Sequence, residues 1–122
     1  MNNKKFKVWD YNEKKFQYFE LHNITVPDRL LCQWKYPVHQ FIGILDKNMK
    51  QIYEGDVVKG IYGLGIEIMG EVQYSYDLCA YVVDWHHLFA DISFDSLEIV
   101  GNMIEDYMYN EKGELVKKLD VS

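Results

Sequence analysis

Three carboxylates near the middle of the chain have the types and spacing that acid–base chemistry uses. Glu54 and Asp56 flank Gly55, two positions apart and so on one side of a strand entry, and Glu71 falls on what reads as a neighbouring strand. A working pair needs a cleft and one carboxyl with a raised pKa, and a solvated turn supplies neither. The stretch Gln51 to Gly60 therefore reads as architecture: Gly55 takes a positive φ, Asp56 bonds the backbone beyond it, and Val57-Val58 continues as a β-branched strand. No catalytic residue is predicted.

Metal and phosphate chemistry fare no better. His86-His87, with Cys79, His39 and Asp84 as the only further ligands, suggests zinc, but adjacent strand residues face opposite sides and share no metal without a bulge. Asp46-x-Asn48 has the start of a calcium loop, yet Lys50 stands where the next oxygen is needed, Gln51 at the glycine position and Val57 at the glutamate position. Gly60-Ile61-Tyr62-Gly63-Leu64-Gly65 lacks both dinucleotide spacing and a following Lys-Ser/Thr, and reads as a flexible connector between strands. Cys32 and Cys79 belong to no Cys-x-x-Cys pair and read as reduced, buried thiols. Neither cofactor nor metal is expected.

The elements that would position these groups are strands. In 122 residues the chain has ten Tyr, six Phe and three Trp against two Pro, which favours half-buried pleated surfaces. Phe6 to Tyr11 and Phe16 to Leu21 form a hairpin (6–21) around Asn12-Glu13-Lys14-Lys15; Val8-Trp9 and Tyr18-Phe19 are adjacent, so both of its faces need cover. Its lysines, Lys4, Lys5, Lys7, Lys14 and Lys15, read as edge and turn charges. Pro27-Asp28 opens a short helical or irregular segment carrying Leu30, Leu31 and Trp34, ended before Pro37. Val38 to Ile44, Val57-Val58-Lys59, Gly70 to Tyr74, Ala80 to Trp85 and Leu97 to Asn102 follow as strands. That spacing predicts a mainly β or α+β protein, with a small SH3-like barrel at about 38–102 whose closure removes exposed edges. Residues 107–122 read as a tail with a hairpin-like centre, and Tyr-Asn-Glu-Lys at 11–14 recurs at 109–112, suggesting one turn chemistry used twice.

Charge narrows the partners. Residues 1–50 carry nine basic and five acidic side chains (net +4), and residues 51–122 carry four and fourteen (net −10). With Arg29 its single arginine, the chain has no cluster fit to displace counterions from phosphates, so direct nucleic-acid binding is disfavoured. No apolar run of about 18 residues is present, so neither a membrane span nor a signal core is expected, and the chain is expected to stay soluble in the cytoplasm.

Gln40 to Asn48, Ile52-Tyr53-Glu54-Gly55-Asp56-Val57-Val58, Gly70-Glu71-Val72 and Leu97 to Asn102, with the opening Val8-Trp9-Asp10, resemble the YopX family of phage and prophage proteins from about residue 6 to 105. Three departures stand out: Met49 where the family often has Gly, Ile42 in place of Thr, and Ile104-Glu105-Asp106-Tyr107 in place of Tyr-Glu-Asn-Pro. The domain is accordingly drawn at 1–106. The resemblance implies a phage- or prophage-encoded protein of the bacterial cytoplasm, without an assigned activity and with oligomers among its members. Tyr53, Tyr62, Tyr74, Tyr76, Tyr81 and Trp85 exceed what one small core hides, so the residues point to a non-catalytic interaction or self-assembling module, a homo-oligomer or a binder of a host or phage protein. The alternative is an acidic mimic that occupies a host nucleic-acid-binding protein; a small hydrolase or metal-binding protein comes third.

Overall fold

A computed structural model describes residues 5–20 and 38–118 of the chain, which divides after residue 41 into two compact units. The expected helical segment around Leu30 and Trp34 lies outside the described residues.

In the first unit β1 (Lys5–Asp10) pairs antiparallel with β2 (Lys15–Glu20) and, at Phe6 to Val8, with the first residues of β3 (Val38–Leu45). Strand alternation puts aromatics on both faces, as the doubled pairs Val8-Trp9 and Tyr18-Phe19 require. Phe6 stacks on its cross-strand partner Phe19 at 5.6 Å between ring centroids, and Trp9 meets Phe16 edge-on at 5.0 Å. Lys7 is not an exposed edge charge: it is buried, with its Nζ 4.1 Å from the Phe16 ring centroid, where the cation meets the ring's negative face.

The second unit is where the core lies. The later part of β3 leads through a turn to β4 (Gln51–Tyr53), and then come β5 (Asp56–Tyr62), β6 (Ile66–Ser75), β7 (Ala80–Val83), β8 (His87–Leu88), β9 (Glu98–Asn102), β10 (Tyr107–Tyr109) and β11 (Leu115–Lys117). The order β8-β7-β6-β5-β9 makes one antiparallel sheet that curls into a half-barrel, and β10–β11 is a separate hairpin. The chain is mainly β and this sheet is barrel-like, as the aromatic and β-branched runs predict. Ile52, Val58, Val72, Val83, Phe89, Ile92 and Leu97 form the core, with Ile42, Ile44, Tyr62, Ile68, Tyr81 and Ile99 packed around them. Short 3₁₀ turns at Phe89–Asp91 and Phe94–Ser96, too brief for helical periodicity to reveal, drop Phe89 and Ile92 into it.

Gly60 to Gly65 is not a flexible connector. Gly60, Ile61 and Tyr62 belong to β5, Ile66 already belongs to β6, and only Gly63-Leu64-Gly65 turns, with both glycines at positive φ. Gly60 lacks a side chain for a packing reason: a Cβ there would lie 2.8 Å from Ile92 Cγ2.

Turns in both units share one device. Asp10, Asp46, Asn102 and Asn110 each use a side-chain oxygen to accept two backbone N–H groups two to four residues ahead. The repeated Tyr-Asn-Glu-Lys tetrad is out of register with it, because Asn110 is the acceptor in one copy whereas in the other Asp10 accepts and Asn12 donates. Asp46 does more: its second oxygen accepts Ile99 N–H at 3.0 Å, and Lys47 N–H reaches Leu97 O at 2.7 Å, so this turn staples β9. Met49, in the position where the resemblance expects glycine, has φ 65.

Candidate interaction site

The central turn forms as its residues dictate, with one difference. Gly55 has φ 84, but Asp56 points back and accepts Tyr53 N–H through Oδ2 at 2.8 Å. Asp56 is 3% exposed, so its carboxylate serves the turn instead of facing solvent. Val57 of β5 pairs with Glu71 of β6, which sets Glu71 one strand away from this turn.

Glu71 is half-buried and accepts the Tyr109 hydroxyl at 2.9 Å and Gln73 Nε2 at 3.2 Å. Burial pushes its carboxyl above the usual range, and the two hydrogen bonds only partly oppose that. The Tyr109 phenol is pushed up strongly, first by burial and then by the hydrogen bond and negative charge of Glu71, with Asp84 adding to it and a hydrogen bond from Trp85 working the other way. A raised carboxyl is what a general acid needs, but this one is capped by a tyrosine. Clefts of about 600 Å³ beside Tyr109 to Lys112 and about 220 Å³ beside Lys59 and Ser96 are lined by none of Glu54, Asp56 and Glu71. The closing of Tyr109 over Glu71 has no signature in sequence spacing, since 38 positions separate the phenol from the carboxylate.

The histidine pair does not obey strand alternation. Asp84 (φ 53) and Trp85 (φ 72) turn the chain sharply, and the rings of His86 and His87 lie 4.0 Å apart, tilted by 43°. His87 packs edge-on against Tyr62 at 4.4 Å, while His39 sits on the first part of β3. Among the described residues no group of three His, Cys, Asp or Glu side chains is placed to hold a metal ion. Cys79 is exposed at φ 52 with its thiol turned to Tyr76 O, which corrects the expectation of a buried thiol; Cys32 lies outside the described residues.

What the fold does gather at its surface is aromatic. Tyr74 meets Tyr76 and Tyr81 edge-on, each at 5.1 Å, at the β6–β7 hairpin. Tyr76 is 86% exposed, with Leu78 and Tyr74 exposed beside it. Burial and then the negative charge of Glu54 raise the Tyr81 phenol, and Gly55 N–H, bonded to Val72 O at 2.9 Å, ties the acidic central turn to β6. Of the other aromatics singled out in the sequence, Tyr53 is buried, Tyr62 is half-buried against the core, and Trp85 is exposed. Elsewhere Glu98 bridges Lys47 at 3.4 Å and Lys59 at 3.5 Å, so part of the acidic surplus is neutralised within the fold. Among the described residues no helix is long and apolar enough to cross a membrane.

No curated protein matches the chain. The family model described as YopX protein matches residues 2–107, taking in the hairpin of the first unit, the central turn and every strand of the curled sheet, and ending where β10 begins. The chain belongs to the YopX family.

Proposed function

We propose that this protein is a non-catalytic binding module, encoded by a phage or prophage and acting in the bacterial cytoplasm, that joins a protein partner through the tyrosine hairpin of β6 and β7. The observation that carries this reading is the edge-to-face cluster of exposed Tyr74 and Tyr76 with half-buried Tyr81, Leu78 being exposed in the same hairpin. Tyrosines present large contact area with little rotamer entropy to lose, and clustered aromatics rimmed by charge are what interface cores use. Glu54 supplies such a rim charge. The absence of catalysis is argued from the carboxylates: Asp56 is engaged inside its turn and Glu71 is closed by Tyr109.

The occupant this surface fits best is a second copy of the chain, and the acidic-mimic alternative draws less support because Asp56, Glu71 and Glu98 are engaged inside the fold. Light scattering of the purified protein at low and high salt tests the reading. A mass above 14.5 kDa that persists in salt and falls to the monomer in a Tyr76→Ser, Leu78→Ser variant is expected. An oligomer that survives those substitutions overturns the site. A salt-sensitive one points instead to pairing of the basic and acidic halves.

A further inference from the structure

The curled sheet is a half-barrel, and it leaves one strand edge open in its middle. β6 pairs with β5 from Ile66 to Glu71 and with β7 only from Val72 to Ser75. Beyond that, Asp84 N–H reaches Glu71 O at 3.1 Å, and there the cover stops. In an antiparallel strand the N–H and C=O of one residue point to the same side and those of the next residue to the other. Since the carbonyl of Glu71 points away from β5, those of Met69 and Glu67 do too, together with their N–H groups. Neither residue has a backbone partner on that side among the described residues. Four hydrogen-bonding groups along this edge therefore have no backbone partner among the described residues, and natural sheets protect such edges with charge or cover because they invite another strand.

Side chains say what kind of strand would fit. Ile68 packs toward the core, so Ile66 and Ile68 lie on the concave face and Glu67 and Met69 on the convex one. Ile66 is 62% exposed and Met69 43%, and Leu64 protrudes at the tip of the hairpin. Among the described residues Glu67 makes no ion pair, and Lys47 and Lys59, which line one cleft with it, are both bridged to Glu98, at 3.4 and 3.5 Å. At the covered end of the edge the next charges are Asp84 and Glu71, both acidic. An incoming strand thus meets an apolar row on one face and, on the other, the Glu67 carboxylate, which has no ion pair among the described residues.

We propose that the Ile66–Met69 edge of β6 is a docking site for an extended segment of a partner protein in which basic and apolar side chains alternate. The apolar positions lie beside Ile66 and Ile68, the basic ones beside Glu67, and the backbones of Glu67 and Met69 supply the hydrogen bonds. This surface is distinct from the tyrosine cluster, and it rests on the binding-module reading only in taking the chain to be a receptor for protein.

The probe is a synthetic peptide of about eight residues alternating lysine and valine, the length that adds one strand. Its binding is read by amide hydrogen exchange and ¹⁵N chemical shifts. The peptide is expected to slow exchange at Glu67 and Met69 at least about tenfold, and the same peptide with alternate backbone nitrogens methylated, unchanged in charge, to bind about tenfold more weakly. Met69→Pro deletes an N–H that only an added strand would use and should weaken binding by a similar factor. Glu67→Lys, which leaves the backbone intact, tests the charge without risk to the fold and should weaken it about fivefold. Equal binding by the methylated peptide, by a glutamate–valine peptide or by the Glu67→Lys variant overturns the proposal. Protection of Glu67 and Met69 by the protein's own concentration, without peptide, makes the occupant a second copy and overturns it as well. Retention of peptide binding by Tyr76→Ser separates this edge from the tyrosine surface, so either site can fail alone.

Discussion

Two halves of one strand meet opposite fates in this protein. From Gly70 to Ser75, β6 is covered: Val72 is fully in the core, the turn at Asp84 lies so close over Gly70 that an added Cβ would be 2.6 Å from Asp84 Cβ, and Tyr109 clasps Glu71. From Ile66 to Met69, among the described residues, the same strand has a partner on one side only and Glu67 has no ion pair. The alternation of residue types is much alike in both halves. The difference lies in what later segments bring, and the covered half spends its polar residues on fixed contacts while the open half leaves them for a ligand.

Breaking the covered half should cost most at Gly70. Gly70→Ala forces a methyl against the backbone of Asp84, itself at positive φ, and is expected to destabilise by about 2–3 kcal/mol, measured by urea unfolding. Asp46 comes next. Burial opposes its ionisation, but the N–H groups of Ile99, Lys50 and Asn48 outweigh this and hold its carboxyl below the usual range. Asp46→Asn keeps a turn acceptor but presents NH₂ to the N–H of Ile99, so a loss of about 2 kcal/mol is expected in the same assay. Because its folded pKa is depressed, the stability Asp46 contributes is present above 3.8 and is lost as acid titrates it.

Tyr109→Phe removes the hydroxyl from Glu71 and should cost about 1 kcal/mol, read from the shift in urea midpoint at unchanged slope. Glu71 itself behaves in the opposite sense to Asp46. Its folded pKa is raised, so the folded state binds the proton more tightly and stability falls as pH rises through the range just above 4.5. Glu71→Gln should flatten that part of the Tm-versus-pH curve; an unchanged slope would mean that Glu71 is not the group titrating there. At the open half the contrast predicts almost nothing: Glu67→Gln should leave stability within about 0.5 kcal/mol of the parent, by the same unfolding measurement, because Glu67 is exposed and makes no ion pair among the described residues.

Asp46 and Asn110 draw the same line on a smaller scale. Both gather the N–H groups of their own turns, so both turns are readable as Asx-led punctuation between strands. Only Asp46 has a second acceptor oxygen to offer a residue 53 positions away; the corresponding group of Asn110 is an amide that donates locally to Glu114.

The sequence by itself determined the β class, most of the strands, the place of the central Glu54-Gly55-Asp56 turn and the family, because two-residue alternation and turn chemistry are local and are written in consecutive side chains. It also marked Glu71 as a carboxylate of interest and Tyr74, Tyr76 and Tyr81 as surplus aromatics. Only the tertiary structure decided that Tyr109 would cap Glu71, that Cys79 would be exposed, that Asp56 would be buried, and that the barrel would stop short of closure at Met69. Each of these depends on which distant segment fills the space over a residue, and contacts across tens of positions leave no periodic trace in the chain.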